Sequence, residues 1–226
     1  MTFNRHTKAV LATTLFEVGA IKFGEFKLKL HETHPDAPLS PIYLNLRTLE
    51  NPKPGPLTPE VVQLIGAELF EIADLNCLHY DHVLGIPNAG DPLAEAFAHC
   101  APVCWPVSLL KMTKETGGDK RHIGEIASGV YEADEKVLLI DDLITGADSK
   151  LEAIDRVEQA GLTVSNVLVL VDRQQGGASQ LTNMGYSVYA VFEMAELLTT
   201  YVAKGFITQE KSDEVTTYVH ANRYDG

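Results

Sequence analysis

Two adjacent carboxylates, Asp141 and Asp142, are the residues of this chain whose types and spacing most clearly suggest chemistry. They follow an aliphatic run at 137–140 that lacks polar alternation, a pattern typical of a strand covered on both faces of a parallel sheet. Residues after such a strand lie at its carboxyl end, where open α/β sheets bind ligands. A small-residue turn at 145–147 and helix-capping residues at 148–149 come next. The pattern predicts a strand, a turn and a helix, with the acidic pair at a ligand-binding edge.

Three interpretations of the segment 137–149 compete. A core strand that ends in solvated aspartates is the simplest. A receiver domain also begins with aliphatic residues and paired aspartates, but there the pair ends the first strand, whereas here more than half of the chain precedes it. A phosphoribosyl pocket accounts for the whole segment. Two carboxylates can accept hydrogen bonds from the vicinal hydroxyls of a ribose, while the N–H groups of a small-residue turn bind a 5′-phosphate.

Composition limits the classes of function that remain open. The 226 residues, 45% hydrophobic and 22% charged, are typical of a soluble globular protein with one large domain, with or without a small appendage. A formal net charge of −13 argues against general binding of nucleic acid, which normally needs a basic face. Residues 1–21 contain no continuous apolar stretch for a signal peptide or membrane span, and the three cysteines form no CxxC pair. We expect a cytoplasmic protein that binds neither nucleic acid nor membrane.

Hydrophobic periodicity and capping signals predict helices and strands that alternate along most of the chain. We predict helices at about 5–18, 59–73, 92–98, 151–160, 194–202 and 209–218. We predict strands at 22–30, 40–47, 82–87, 104–110, 137–140, 166–172 and 185–192, with a mobile loop at about 111–125 that leads into a hairpin. This order indicates an α/β fold with a mostly parallel central sheet and flanking helices. A small N-terminal helix and strand subdomain would occupy 1–57, and the core 58–226.

Two further segments have the chemistry to bind an anion. One is the predicted strand-to-helix turn GIPNAGDPLA at 85–94, in which Gly85 and Gly90 permit close backbone approach to an anion. A turn that binds no ligand would also be compatible with this sequence. KMTKETGGDKRH at 111–122 concentrates basic side chains in an otherwise acidic chain. Such a run is usually a solvated loop, but it can also become ordered on a polyphosphate and exclude water.

Together these segments resemble the type I phosphoribosyltransferases, whose hallmark is an aliphatic strand, two acidic residues and a Thr/Gly/Ser phosphate loop. The chain is further similar to the orotate phosphoribosyltransferase family, with KFGEFKLKL at 22–30 resembling its N-terminal signature, SPIYLNLR at 40–47 its second strand, and LVDRQQGG at 170–177 its arginine turn. These segments occur in the family's order over most of the chain. The resemblance implies Mg²⁺-dependent transfer of phosphoribosyl from phosphoribosyl pyrophosphate to orotate, in pyrimidine biosynthesis, by a homodimer.

The resemblance also implies roles for individual residues. Asp141 and Asp142 would hold the ribose hydroxyls as catalytic residues. Lys114, within a KxxKxxG spacing, would be the catalytic lysine of a loop that reaches the neighbouring subunit's active site. Lys29 and Arg173 would contact orotate, because an arginine fork matches a carboxylate. The other substrate-binding residues would be Tyr43 and Leu44 in the base pocket, Asn88 and Ala89 in the pyrophosphate turn, Lys111 in the loop, and Thr145, Gly146, Ala147, Asp148 and Ser149 at the 5′-phosphate. Mg²⁺ would be held chiefly by substrate oxygens and water, with no dedicated protein ligands.

The chain also departs from the family pattern. Ala147 stands where the family usually has glycine, and Asp148 stands where it has a small neutral residue. A carboxylate at 148 would repel a phosphate unless it points outward. Leu110, Thr116 and Ala89 replace basic residues that are common in relatives.

Two other functions therefore stay open at this stage. One is a salvage phosphoribosyltransferase that uses another nucleobase. The other is a noncatalytic sensor of phosphoribosyl pyrophosphate. An enzyme needs the lysine loop and the metal, whereas a sensor needs only the ribose phosphate pocket.

Overall fold

The computed structural model describes residues 5–28, 31, 35–102, 107–117 and 120–223. The helices are α1 (Arg5–Glu17), α2 (Pro59–Leu75), α3 (Gly90–Cys100), α4 (Asp148–Gln159), α5 (Gly177–Asn183), α6 (Met194–Ala203) and α7 (Gln209–Ala221). The strands are β1 (Ile21–Phe26), β2 (Ser40–Leu44), β3 (His82–Gly85), β4 (Ser108–Gly117), β5 (Lys120–Ser128), β6 (Lys136–Ile144), β7 (Thr163–Asp172) and β8 (Ser187–Glu193). The short helix α5 has no counterpart in the sequence prediction.

The central sheet contains six strands in the described part of the chain, in the order β5-β4-β3-β6-β7-β8. Strands β4, β3, β6, β7 and β8 run parallel, and β5 alone pairs antiparallel, with β4. The mostly parallel sheet predicted from the sequence is confirmed. Because parallel strands share one direction, the carboxyl ends of β3, β6 and β7 meet at the same edge.

Strand β6 is buried on both faces. Its aliphatic side chains alternate between two hydrophobic clusters: Leu138 and Ile140 pack on one side of the sheet, and Val137 and Leu139 on the other. The first cluster also contains apolar residues of α1, α2, α3, α6 and α7, and the second contains those of α4 and α5. Helices on both faces explain why this strand needs no polar alternation.

Strands β1 and β2 form a separate antiparallel pair in which Ile21 lies opposite Leu44. Both end earlier than predicted. After β1 the N–H of Leu28 is bound by Nδ1 of the buried His31 ring at 2.9 Å, so a side chain takes the place of a neighbouring strand. Leu44 belongs to the same hydrophobic cluster as the core helices, and the division at residue 57 stays a prediction.

The segment predicted as a loop at about 111–125 is instead paired backbone. Strand β4 continues to Gly117 and pairs with β5, with Lys114 opposite Ile123. The apolar residues that secure this hairpin are buried, namely Leu110, Met112 and Ile123. Helix α4 also holds the hairpin, since Glu152 Oε1 accepts the N–H of Ile123 at 2.9 Å and Arg156 Nε donates to its carbonyl at 3.2 Å. The loop prediction is therefore wrong in secondary structure, while its mobility stays a prediction.

Candidate active site

The acidic pair lies within β6, near its carboxyl end, because this strand stays paired with β7 as far as Ile144. The strand is thus longer than the aliphatic run that predicted it. Asp141 is only 6% exposed, and its Oδ1 accepts the N–H of Asp142 at 2.9 Å. Asp142 is partly exposed, and its Oδ1 accepts the N–H of Leu143 at 2.8 Å. Two consecutive carboxylates therefore have different exposures and different partners.

A buried lysine lies against this pair. Lys150 is 3% exposed, and its Nζ donates to Asp141 Oδ2 at 2.6 Å and to the carbonyl of Leu143 at 2.5 Å. Sequence reasoning missed this residue. A usable signal was present, because Lys150 shares a face of α4 with the buried Ile154 and Val157, and a lysine on a buried face needs a partner.

The proton affinity of Asp142 reflects this environment. Burial, and then the Asp141 carboxylate, raise the pKa of Asp142 from its ordinary value to about 7, while the ammonium group of Lys150 opposes the rise. The two carboxylates and the lysine thus form one electrostatic unit at the end of β6.

The turn after β6 has the form predicted for an anion site, although its cap differs. Ala147 is the N-cap of α4 and provides no side-chain cap, so the prediction of capping by residues 148–149 is wrong. The N–H of Ala147 donates to Gln180 Oε1 at 3.1 Å. The following N–H groups open α4, and the first N–H groups of a helix have no acceptor within it. Asp148 and Ser149 are exposed, which fits the requirement that Asp148 point outward.

The turn is packed tightly against the beginning of α5. The N–H of Gly177 donates to the carbonyl of Thr145 at 2.9 Å. A Cβ atom at Gly177 would lie 2.8 Å from that carbonyl oxygen and 2.8 Å from the backbone of Gly146, so only glycine allows this approach. Thr145 and Gly146 are partly exposed at the surface of the turn.

Arg173 lies beside the same turn, at the end of β7. Its backbone N–H donates to the carbonyl of Ile144 at 3.0 Å, and the residue is 7% exposed. The next residue, Gln174, has a positive φ of 58° and its N–H is bound by Asp172 Oδ1 at 2.7 Å. The buried arginine is thus fixed at the carboxyl edge of the sheet.

The predicted pyrophosphate turn follows β3 at the same edge. The N–H of Ile86 donates to the carbonyl of Ile140 at 2.8 Å, and a Cβ atom at Gly90 would lie within 3.3 Å of Asp141 Cα. Asn88 and Ala89 are partly exposed, and the peptide bond between Pro87 and Asn88 is cis. The ends of β3, β6 and β7 therefore bring together the three turns that the sequence analysis singled out.

Comparison with known proteins assigns a family to this arrangement. No family model matches the chain. The orotate phosphoribosyltransferase of Pyrobaculum aerophilum is 31% identical over 185 residues, which cover 81% of this chain and 86% of that protein. The chain belongs to the orotate phosphoribosyltransferase family. The resemblance inferred from the sequence is therefore confirmed.

Relatives in the same family also include larger proteins. The chain is 28% identical over 214 residues to the uridine 5′-monophosphate synthase of Bos taurus, a match that covers 95% of this chain but 41% of that protein. The structure of Leishmania donovani UMP synthase superposes with a TM-score of 0.75 at 28% identity, covering 95% of this chain and 42% of that one. The chain thus spans about two fifths of the length of these relatives.

Other residues that the family resemblance singled out lie on β2, on β4 or outside the described residues. Tyr43 and Leu44 lie on β2, where the ring of Tyr43 packs 5.5 Å from that of Phe26. Lys111 is exposed in β4, and its Nζ lies 2.5 Å from Glu95, which raises the pKa of the lysine. Lys29 and the side chain of Lys114 lie outside the described residues.

Among the described residues no group of three or more histidine, cysteine, aspartate or glutamate side chains is arranged to hold a metal. Asp141 Oδ2 is engaged by Lys150. Mg²⁺ keeps several waters and binds readily to substrate phosphates, and its binding here by substrate oxygens stays a prediction. Nor is any described helix both long enough and apolar enough to span a bilayer.

Proposed function

We propose that this protein is an orotate phosphoribosyltransferase that transfers phosphoribosyl from phosphoribosyl pyrophosphate to orotate, giving orotidine 5′-monophosphate and pyrophosphate in pyrimidine biosynthesis. The observation that carries the proposal is the convergence of three turns at one sheet edge, after β3, β6 and β7. Membership of the orotate phosphoribosyltransferase family supports the choice of orotate, and two relatives of that family are named uridine 5′-monophosphate synthase.

The β6 turn would hold the phosphoribosyl group by both ends. The partly exposed Asp142 would accept hydrogen bonds from the ribose hydroxyls. The N–H groups that open α4 would bind the 5′-phosphate, since the N-terminus of a helix favours an anion. Because Gly177 packs directly beneath this turn, the loop is held in place before a ligand arrives.

The reaction needs no covalent nucleophile. The C–O bond between ribose C1 and pyrophosphate breaks with its electron pair on the pyrophosphate. The reacting nitrogen of orotate gives up its proton to the leaving pyrophosphate or to water, and its electron pair forms the C–N bond at the same carbon. The enzyme must stabilise the leaving anion and hold the base in line. Mg²⁺, when bound to the pyrophosphate oxygens, would neutralise part of the developing negative charge. The turn at 86–90, which packs beside Asp141, would receive that pyrophosphate.

Arg173 is the residue that would select orotate. Orotate differs from uracil by a carboxylate next to the reacting nitrogen, and a guanidinium group binds a carboxylate through two parallel hydrogen bonds. Arg173 is buried at the end of β7 beside the β6 turn, so such a contact would be made away from water. Lys29 would be a second cation for the same ligand.

The β4–β5 hairpin would complete the site from a second subunit. It carries Lys111 and Lys114, and a hairpin of this length can reach beyond its own sheet. We propose a homodimer in which Lys114 contacts the pyrophosphate bound to the neighbouring chain. We also propose that the enzyme works in the cytoplasm, with phosphoribosyl pyrophosphate and orotate as its two substrates.

A direct assay tests the proposal. The protein is mixed with phosphoribosyl pyrophosphate and Mg²⁺, and the loss of orotate absorbance is followed, with uracil and a purine base in parallel reactions. We expect turnover with orotate, loss of turnover when the metal is chelated, and little product from the other bases. Equal use of uracil or a purine would favour a salvage enzyme. Binding of phosphoribosyl pyrophosphate without turnover of any base would favour a sensor.

A further inference from the structure

The ammonium group of Lys150 is satisfied entirely within the β6–α4 turn. Its Nζ contacts Asp141 Oδ2 at 2.6 Å, the Leu143 carbonyl at 2.5 Å and Ser149 Oγ at 3.5 Å. The side chain is 4% exposed. A lysine is almost never this deeply buried unless it is paired, because its charge must be removed from water. The pair therefore belongs to the folded turn rather than to the surface.

The acceptor atoms of the two aspartates are used differently. Both oxygens of Asp141 have partners inside the turn, the N–H of Asp142 at Oδ1 and the ammonium group of Lys150 at Oδ2. Asp142 bonds the N–H of Leu143 through Oδ1 and is the more exposed of the two. A ligand that approaches from solvent would meet Asp142 first.

We propose that Lys150 is a positioning residue that holds Asp141 as a buried counter-ion of the turn and leaves Asp142 as the carboxylate that accepts the ribose hydroxyls. The proposal rests on the proposed function for the identity of the ligand. The family resemblance implies that both aspartates hold the ribose hydroxyls, whereas this proposal gives that role to Asp142 alone.

The charges at the site also distinguish the two aspartates. Asp141 and Lys150 together carry no net charge, and the raised pKa of Asp142 reduces the negative charge that this residue presents to an anionic substrate near neutral pH. The charged groups at the ends of the adjoining elements are Asp91 on α3, Asp172 at the end of β7 and Arg173 directly after it. Lys150 also opposes the rise in the pKa of Asp142, which Asp141 promotes. Removing either partner should therefore change the titration of Asp142, and in opposite directions.

The first test needs no substrate. Protein labelled with ¹³C at the aspartate carboxyl groups is titrated by NMR, and the midpoint of Asp142 is compared among wild type, Lys150→Met and Asp141→Asn. We expect the midpoint to rise by about one unit in Lys150→Met and to fall by about one unit in Asp141→Asn. Lys211→Met removes an exposed lysine of α7 that pairs with Glu214 and should leave the midpoint unchanged. If Lys150→Met does not fold, Asp141→Asn decides, and an unchanged midpoint in Asp141→Asn overturns the proposal.

The second test concerns the ligand. Calorimetry with phosphoribosyl pyrophosphate and Mg²⁺ should show a loss of affinity about tenfold greater in Asp142→Asn than in Asp141→Asn, because only Asp142 would bond the sugar. Equal losses would overturn the division of roles. If wild-type protein binds no phosphoribosyl pyrophosphate while the midpoints move as expected, the proposed function fails and the charge-balancing role of Lys150 stands.

Discussion

Asp141 and Asp142 are identical side chains at consecutive positions, and their environments make them different chemical groups. One is buried with a lysine, and the other is partly exposed with its pKa raised to about 7. Glu68 on α2 is a third buried carboxyl group, with 4% of the residue exposed. Burial, and then the nearby Glu71 carboxylate, raise its pKa to about 7. At the residue scale, the partner decides whether a buried carboxylate stabilises the fold or costs stability.

Replacing Arg173 with methionine should separate orotate from phosphoribosyl pyrophosphate. The orotate carboxylate would lose its bidentate partner in a site closed to water, at a cost of about 2–5 kcal/mol, whereas phosphoribosyl pyrophosphate alone does not need this arginine. Steady-state kinetics should show the loss in kcat/KM for orotate, and calorimetry should show retained affinity for phosphoribosyl pyrophosphate. Arg223→Met, an exposed arginine after α7, serves as the control. Unchanged use of orotate by Arg173→Met would remove the basis for orotate specificity.

Replacing Glu68 with glutamine should stabilise the protein in a pH-dependent way. The pKa of Glu68 is raised from 4.5 to about 7, so between these values the folded state binds more protons than the unfolded state. Wild-type stability therefore falls as the pH rises through this window. The advantage of Glu68→Gln should grow from pH 5 to pH 7 and then level off, at on the order of 2 kcal/mol. Urea unfolding at several pH values measures it.

A control for this prediction is Glu17→Gln, which changes an exposed carboxylate on α1. It should show little change in stability across the same pH range. An advantage of Glu68→Gln that is constant with pH would show that packing, and not titration of this carboxyl group, is responsible.

At the element scale, the close contact between α5 and the β6 turn is open to test. A methyl group at Gly177 would collide with Thr145 and Gly146, so Gly177→Ala should displace the turn and cost about 1–3 kcal/mol of stability. We expect a weaker affinity for phosphoribosyl pyrophosphate, measured by calorimetry. Gly66→Ala is a matched overpacking variant, because its Cβ would lie 2.5 Å from the backbone of Ala96, between α2 and α3. It should lose stability without loss of affinity, and a similar loss of affinity in both would contradict the prediction.

The attachment of the hairpin to α4 gives a second prediction at this scale. Glu152 and Arg156 bond both backbone groups of Ile123, so Glu152→Ala with Arg156→Met should loosen β5. Hydrogen exchange should become about tenfold to a hundredfold faster in residues 120–128, as expected for the loss of the net contributions of two hydrogen bonds. Asp155→Asn, on the exposed face of the same helix, is the control. Unchanged protection would mean that the buried apolar residues alone hold the hairpin.

At the scale of the whole molecule, the proposed homodimer makes a prediction about mixed subunits. Lys114→Ala would disable the hairpin, and Arg173→Met would disable the base pocket, so each variant alone should be nearly inactive. If the hairpin serves the neighbouring chain, a mixed dimer contains one complete site. Random pairing of equal amounts then restores about a quarter of wild-type activity, since half of the dimers are mixed.

The mixing experiment is checked by light scattering after gel filtration, which shows whether dimers form. Activity that stays at the level of the separate variants would show that the hairpin and the pocket act within one chain. A monomer in solution would remove the proposal of a shared site altogether.

Much of the fold follows from local patterns in the sequence. The aliphatic runs at 137–140 and 167–171 predict strands that are covered on both faces, because burial on both faces removes polar alternation. Strands β6 and β7 contain these runs. The strand pairing within 111–125, predicted as a loop that leads into a hairpin, was missed because only a few apolar residues lie among its polar ones. It was also missed because the residue that holds it, Glu152, lies 29 residues from Ile123 along the chain. Periodicity reports which side of an element is buried, but it does not report what covers it.

The amino-acid sequence is enough to name the chemical groups at the sheet edge: two carboxylates, a small-residue turn, a turn with two glycines and an arginine after a buried strand. The partners of these groups follow only from the fold. The fold pairs Asp141 with Lys150, binds the N–H of Ala147 to Gln180 and packs Gly177 against the β6 turn. The reason is physical, since the identity of a residue sets which bonds it can make, while folding sets which partner lies within about 3 Å of it.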